Sequence, residues 1–160
     1  MIRSVLRFIS LLFTGLFAGF LVGILVFELS LRGFDGSVYA QVQQVTLVAL
    51  PVLATVLLFP AIISATILVI VTVRQRDASF WLTTVALALL LVALVVTLVV
   101  NVPINLAEGR WSVSSPPADW ATTRDRWQAG HAVRALSALL AFGGLVAAGL
   151  RSSVMGVSQR

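Results

Sequence analysis

Four stretches of this chain are long and apolar enough to force the fold: roughly Val5 to Phe27, Val45 to Val73, Phe80 to Val100 and His131 to Leu150. Crossing roughly 30 Å of hydrocarbon takes about 20 apolar residues in a helix. Lipid offers no partner to an unpaired backbone group, so each continuous run of this kind must close its own hydrogen bonds as a helix. Composition agrees, since 59% of the 160 residues are hydrophobic and only 11% are charged, too few to coat a water-soluble domain. The expectation is an all-α membrane protein: a four-transmembrane-helix bundle, one membrane domain over 1–160, with an ordered extracytoplasmic loop between helices 3 and 4. Residues 101–130 form that outer loop and a projecting start of helix 4.

The first span begins with Arg3 and Arg7, as a signal peptide does. Its apolar run is too long for one and no small-residue cleavage site follows, so it reads as a retained span. The formal charge of +5 comes from eleven Arg and no Lys. In a chain of spans such residues report orientation, so nucleic acid is set aside as a partner. Arg3, Arg7, Arg74, Arg76, Arg151 and Arg160 fall on one side of an alternating four-span path, opposed there only by Asp77. The positive-inside rule then puts both termini in the cytoplasm of a multi-pass cell-membrane protein. With no Cys there is no disulfide, thiolate nucleophile or Cys-ligated cluster.

Within the spans, Gly15, Gly19 and Gly23 stand four apart in "GLFAGFLVG", a small-residue spacing that lets helices approach closely in lipid. "FGGLVAAG" in span four has the same close-packing composition. Pro51 and Pro60 predict a kink or tilt in span two, or a first turn standing outside the hydrocarbon. "SVSSPPAD", residues 112–119, reads as a turn before a new helix, with Asp119 as N-cap and Trp120 at the first position.

The chemistry gathers at the outer end. In "DWATTRDRWQAGHAVR", Trp120, Arg124, Trp127, His131 and Arg134 recur at alternating spacings of four and three, so they share a helical face. The same residues also fit an interfacial aromatic belt with a snorkelling arginine. His131 is the only His, and without a second His or a Cys it cannot build a tight transition-metal site. It is a candidate general base, or else an interfacial group satisfied by a carbonyl. Glu28 precedes Arg32 by four, the favourable order for a helix-surface ion pair. It also lies at the predicted depth of His131, where a carboxylate could orient an imidazole. In "LVVNVPIN", Asn101 and Asn105 continue a stripe begun by Thr97, while Pro103 removes a backbone donor. A helix break is expected there, with the Asn side chains free to satisfy what the break exposes.

"NVPIN", a loop containing Trp111, and the Trp, Arg-Trp, His and Arg of "DWATTRDRWQAGHAVR" together resemble the anthrone oxygenase-like family of small four-helix membrane proteins, most of unknown function. The resemblance spans roughly residues 97–136. Many members carry Asn directly before the His, where this chain has Gly130. The resemblance implies cofactor-independent oxygenation of an anthrone by dioxygen. His131 would be the base, Asn101 and Asn105 amide donors, Arg124 or Arg134 the electrostatic stabiliser, and Trp120 or Trp127 a stacking wall, with Trp111 and Glu28 as further binding candidates and neither metal nor cofactor. Two other readings stand beside it. One is a non-catalytic accessory or assembly subunit of a larger membrane complex, or a homo-oligomer; the other is a lipid or quinone binder. The bilayer is a partner in all three, and an apolar aromatic or quinone-like ligand in the first and third.

Overall fold

The computed structural model describes residues 2–157, with side chains through Arg151. Its helices are α1 (Ile2–Ser30), α2 (Gly36–Thr46), α3 (Leu50–Thr72), α4 (Ala78–Val96), α5 (Val102–Glu108) and α6 (Trp120–Val157). A 3₁₀ turn, Leu31–Gly33, follows α1, and a π-helical turn, Thr97–Asn101, joins α4 to α5. Four of the resulting segments are long and apolar enough to cross a membrane: Ile2–Gly33, Leu50–Thr72, Ala78–Glu108 and Trp120–Arg151. They pack in a ring, α1 against α3 and α6, and α4 against α6 and, least extensively, against α3. One end carries the start of α1, the end of α6 and the α3–α4 turn. The other, called the loop end here, carries α2 and residues 109–119.

The seams are built from small side chains. Ala61 and Ala65 of α3, Ala86 and Ala93 of α4, and Ala138 and Ala141 of α6 are all buried, with Phe17, Leu21 and Leu90 filling the space between them. In lipid there is no hydrophobic drive between helices, so close backbone approach and van der Waals contact must supply the packing. The outside is correspondingly apolar, with Ile70, Val99 and Leu139 exposed on the membrane-crossing segments. The glycine spacing of α1 contributes less than expected. A Cβ on Gly15 would come within 2.9 Å of Phe142, but Gly19 and Gly23 have nothing within 4 Å. The seam follows Thr14, Ala18 and Leu21 instead, and those two glycines face outward.

Two local outcomes depart from the sequence expectation. Residues ahead of span two form a separate helix, α2, nucleated by Asp35, whose carboxylate accepts from the Val38 N–H at 3.0 Å. A turn at 47–49 then leads into α3, which has Pro51 in its first turn and Pro60 inside it. The second departure is at Pro103, where the helix does not break. The Val102 N–H reaches back five residues to the Thr97 carbonyl, and this widened turn accommodates the proline ring and its missing donor. Helix α6 begins at Trp120 and runs 38 residues, roughly 57 Å, so it outreaches the ~30 Å hydrocarbon layer.

Candidate functional site

Toward its loop end the bundle encloses a cavity of about 290 Å³, at the lower edge of the ~300–1,000 Å³ usual for small-molecule sites. Apolar side chains such as Leu21, Leu58 and Leu94 make most of its wall. Six of the nine residues expected at a site line it: Glu28, Asn101, Asn105, Trp127, His131 and Arg134. They come from three spans, one residue on α1, two at the π-turn and α5, and three on successive turns of α6.

His131 is 2% exposed, and its Nε2 lies 2.9 Å from the Leu21 carbonyl oxygen. A carbonyl only accepts, so in the neutral ring the proton sits on Nε2 and Nδ1 keeps its lone pair. Among the described residues that Nδ1 has no hydrogen-bond partner. The orienting group is therefore a backbone carbonyl of α1, not the Glu28 carboxylate expected from depth alone. On its flat side the imidazole stacks against Trp127, with centroids 4.8 Å apart and planes within 5°.

The two asparagines hold that tryptophan at both ends. Asn105 Oδ1 accepts from the indole Nε1–H at 2.6 Å, and Asn101 Nδ2 donates to the Trp127 carbonyl at 3.1 Å. Asn101 Oδ1 is buried without a partner. Gly130 permits this contact, since a Cβ there would lie 2.9 Å from Val100 and 3.3 Å from Asn101 Oδ1. Arg134 does not snorkel. It is 6% exposed, its Nε is unpartnered, and among the described residues no carboxylate lies within ion-pair distance of it.

Glu28 and Arg32 do not pair. The helix α1 ends between them, so Arg32 turns to α6, donating to Gln128 at 2.7 Å and bridging Asp125 at 3.0 Å. Glu28 turns inward, where Gln43 donates to its Oε1 at 2.7 Å and Oε2 is left unpartnered. Gln128 in turn donates to the Glu28 backbone carbonyl at 2.8 Å. Glu28 and Gln43, the latter carried by α2, thus roof the cavity, and Gln128 ties the end of α1 to α6 behind them.

Trp111, Trp120 and Arg124 do not line the cavity. They form a separate stack above it, centred on the fully buried Tyr39 of α2. Trp111 and Trp120 sit 6.4 and 5.7 Å from the Tyr39 ring, and the Arg124 guanidinium lies 5.1 Å over Trp120. The Tyr39 hydroxyl donates to Glu108 Oε1 at 2.8 Å. Burial, and then the neighbouring Glu108 charge, push this hydroxyl well above its ordinary range, so it stays a neutral donor. Gln43, Tyr39 and Gln128 are the polar residues sequence reading missed. The signal for the two on α2 was the Asp35 cap and the four-residue spacing of Tyr39 and Gln43.

Among the described residues no cluster of His, Cys, Asp or Glu is arranged to hold a metal ion. No curated protein and no solved structure matches the chain. A family model described as anthrone oxygenase matches residues 37–144, from the start of α2 to deep in α6, taking in every cavity-lining residue except those of α1. That match covers well over half of the chain, so the protein belongs to the anthrone oxygenase family.

Proposed function

We propose that this protein binds a flat, apolar, hydroxylated aromatic of the anthrone type in the cavity and oxygenates it without a cofactor. The observation that carries the reading is a pair of incomplete groups lining one apolar cavity: among the described residues, His131 Nδ1 has no hydrogen-bond partner and Arg134 has no counter-ion. A base and an oxyanion stabiliser are what such a reaction requires.

In this mechanism His131 Nδ1 removes a proton from the methylene carbon opposite the anthrone carbonyl. The electron pair delocalises onto the carbonyl oxygen, where Arg134 offsets the charge in a medium that screens it poorly. The carbanion adds dioxygen, and the proton held by His131 returns to give a hydroperoxide. Loss of the remaining carbon-bound proton breaks the O–O bond, and water leaves. The sum is one CH₂ and one O₂ giving one C=O and one H₂O. Trp127, fixed by Asn105 and Asn101, supplies the face on which a planar substrate stacks beside the imidazole. The two amides thereby serve chiefly to position the tryptophan.

The test is oxidation of 1,8-dihydroxyanthrone by the purified chain in vesicles, corrected for spontaneous oxidation. His131→Ala should lower the protein-dependent rate by about 100-fold or more, the usual worth of a positioned base. An unchanged rate in a folded His131→Ala protein would remove His131 as the base.

A further inference from the structure

Among the cavity's lining residues, those exposed at the protein surface all lie on one side. They are Pro51, Thr55 and Phe59 of α3 and Leu98 of the π-turn. The linings contributed by α1 and α6 are buried or half-buried throughout, and the roof of Glu28 and Gln43 is closed by their hydrogen bond, with Gln128 bonded to the Glu28 carbonyl behind it. The same side is where the long helices touch least. Both of its walls are irregular, with Pro51 and Pro60 in α3 and the π-turn opposite. Such irregularities bend or widen a helix and keep neighbouring backbones from packing flush.

Depth fixes what lies outside this gap. Phe59 stands nine residues into α3, roughly 13 Å along the axis from its start, and α3 is wholly a membrane-crossing segment. Hydrocarbon, not water, meets that opening.

We infer that the cavity is filled sideways from the bilayer, through a slot between α3 and the π-turn edged by Thr55, Phe59 and Leu98, by a flat apolar aromatic already dissolved in the membrane. The ligand class rests on the oxygenation reading above; the route does not. A substrate of this kind partitions into lipid, so a lateral slot meets it where it is most concentrated, and the polar roof need not open.

The test uses the whole chain in phosphatidylcholine vesicles and a photoreactive phenyl diazirine dissolved in the lipid, with labelled positions read by mass spectrometry. Leu21 and Leu58 line the cavity and are 0% and 3% exposed, so label on them reports access to the interior. The wild-type chain should be labelled at both. Leu98→Trp and Thr55→Trp, at lipid-facing edges where bulk is tolerated, should each suppress that label while leaving label on the exposed Val56 unchanged. Val52→Trp, exposed but outside the slot, should change nothing. Label on Leu21 and Leu58 that is undiminished in both slot variants would overturn the route, as would its absence from the wild-type chain. A chain that admits the diazirine yet leaves anthrone untouched keeps the route and loses the reaction. One that oxidises anthrone equally well in both slot variants, with no interior label, does the reverse.

Discussion

Arg134 sits where a charge is costly, 6% exposed between membrane spans and with no ion-pair partner among the described residues. A buried cation with no counter-ion carries a desolvation cost that no attraction repays, and an apolar side chain of similar volume removes that cost. Arg134→Met should therefore leave the melting temperature in detergent unchanged or raised, while binding of an ionised hydroxyanthraquinone weakens about tenfold or more. A large fall in melting temperature with unaltered binding would make the arginine a packing residue. Trp127 carries the opposite expectation. Trp127→Phe keeps the ring against His131 but leaves Asn105 Oδ1 without its donor. Hydrogen bonds between membrane helices average about 0.6 kcal/mol, with a maximum near 1.7. The melting temperature should then fall by roughly 1–2 °C, and by about 7 °C at the upper limit, and a fall above about 10 °C would show that more than this one bond is lost. At this scale the sequence was readable where a polar side chain interrupts an apolar run, as His131, Asn101, Arg134 and Glu28 do. It was not readable where two residues share a helical face at different heights. Trp120 and Arg124 lie on the face of His131, yet at their level the neighbour is α2 and not the cavity.

Among the elements, α6 and the π-turn meet at Gly130, and their closeness sets where Asn101 lies. Gly130→Ala gains about 1 kcal/mol of helix propensity but must push Val100 and Asn101 aside, an overpacking cost of about 1–3 kcal/mol. The net effect should be between neutral and about 2 kcal/mol destabilising, with substrate affinity falling more than stability. Equilibrium binding alongside a thermal melt decides this, and a stabilised variant with intact affinity would refute the fit. Sequence reading expected Pro103 to break the helix, because the rule concerns the missing donor in a regular ladder. A turn with five-residue spacing releases that constraint, and nothing in "LVVNVPIN" alone distinguishes the two outcomes. The helix α2 was missed for a different reason. It is short and only partly apolar, so its signature lay in the Asp35 cap and in Tyr39 and Gln43, which are buried only once the bundle beneath them exists.

For the whole molecule, four spans follow directly from hydropathy, because lipid leaves the backbone so few alternatives. Their sidedness rests on six arginines, and the absence of Cys makes it measurable on a clean background. Ser114→Cys, in the exposed loop before α6, should react with a membrane-impermeant maleimide added to intact cells, and Ser4→Cys only after permeabilisation. The reverse pattern would invert the topology and put the roof of the cavity on the cytoplasmic side. The π-turn has a consequence for how this protein tolerates changes of length. A single-residue deletion between Thr97 and Asn101 would tidy the third span into an ordinary helix. It would also rotate everything after it by about 100°, carrying Asn105 off Trp127 and Glu108 off Tyr39. Substitutions within that turn leave its phase alone, so variation here is confined to the kind of residue, and the number of residues is part of the site.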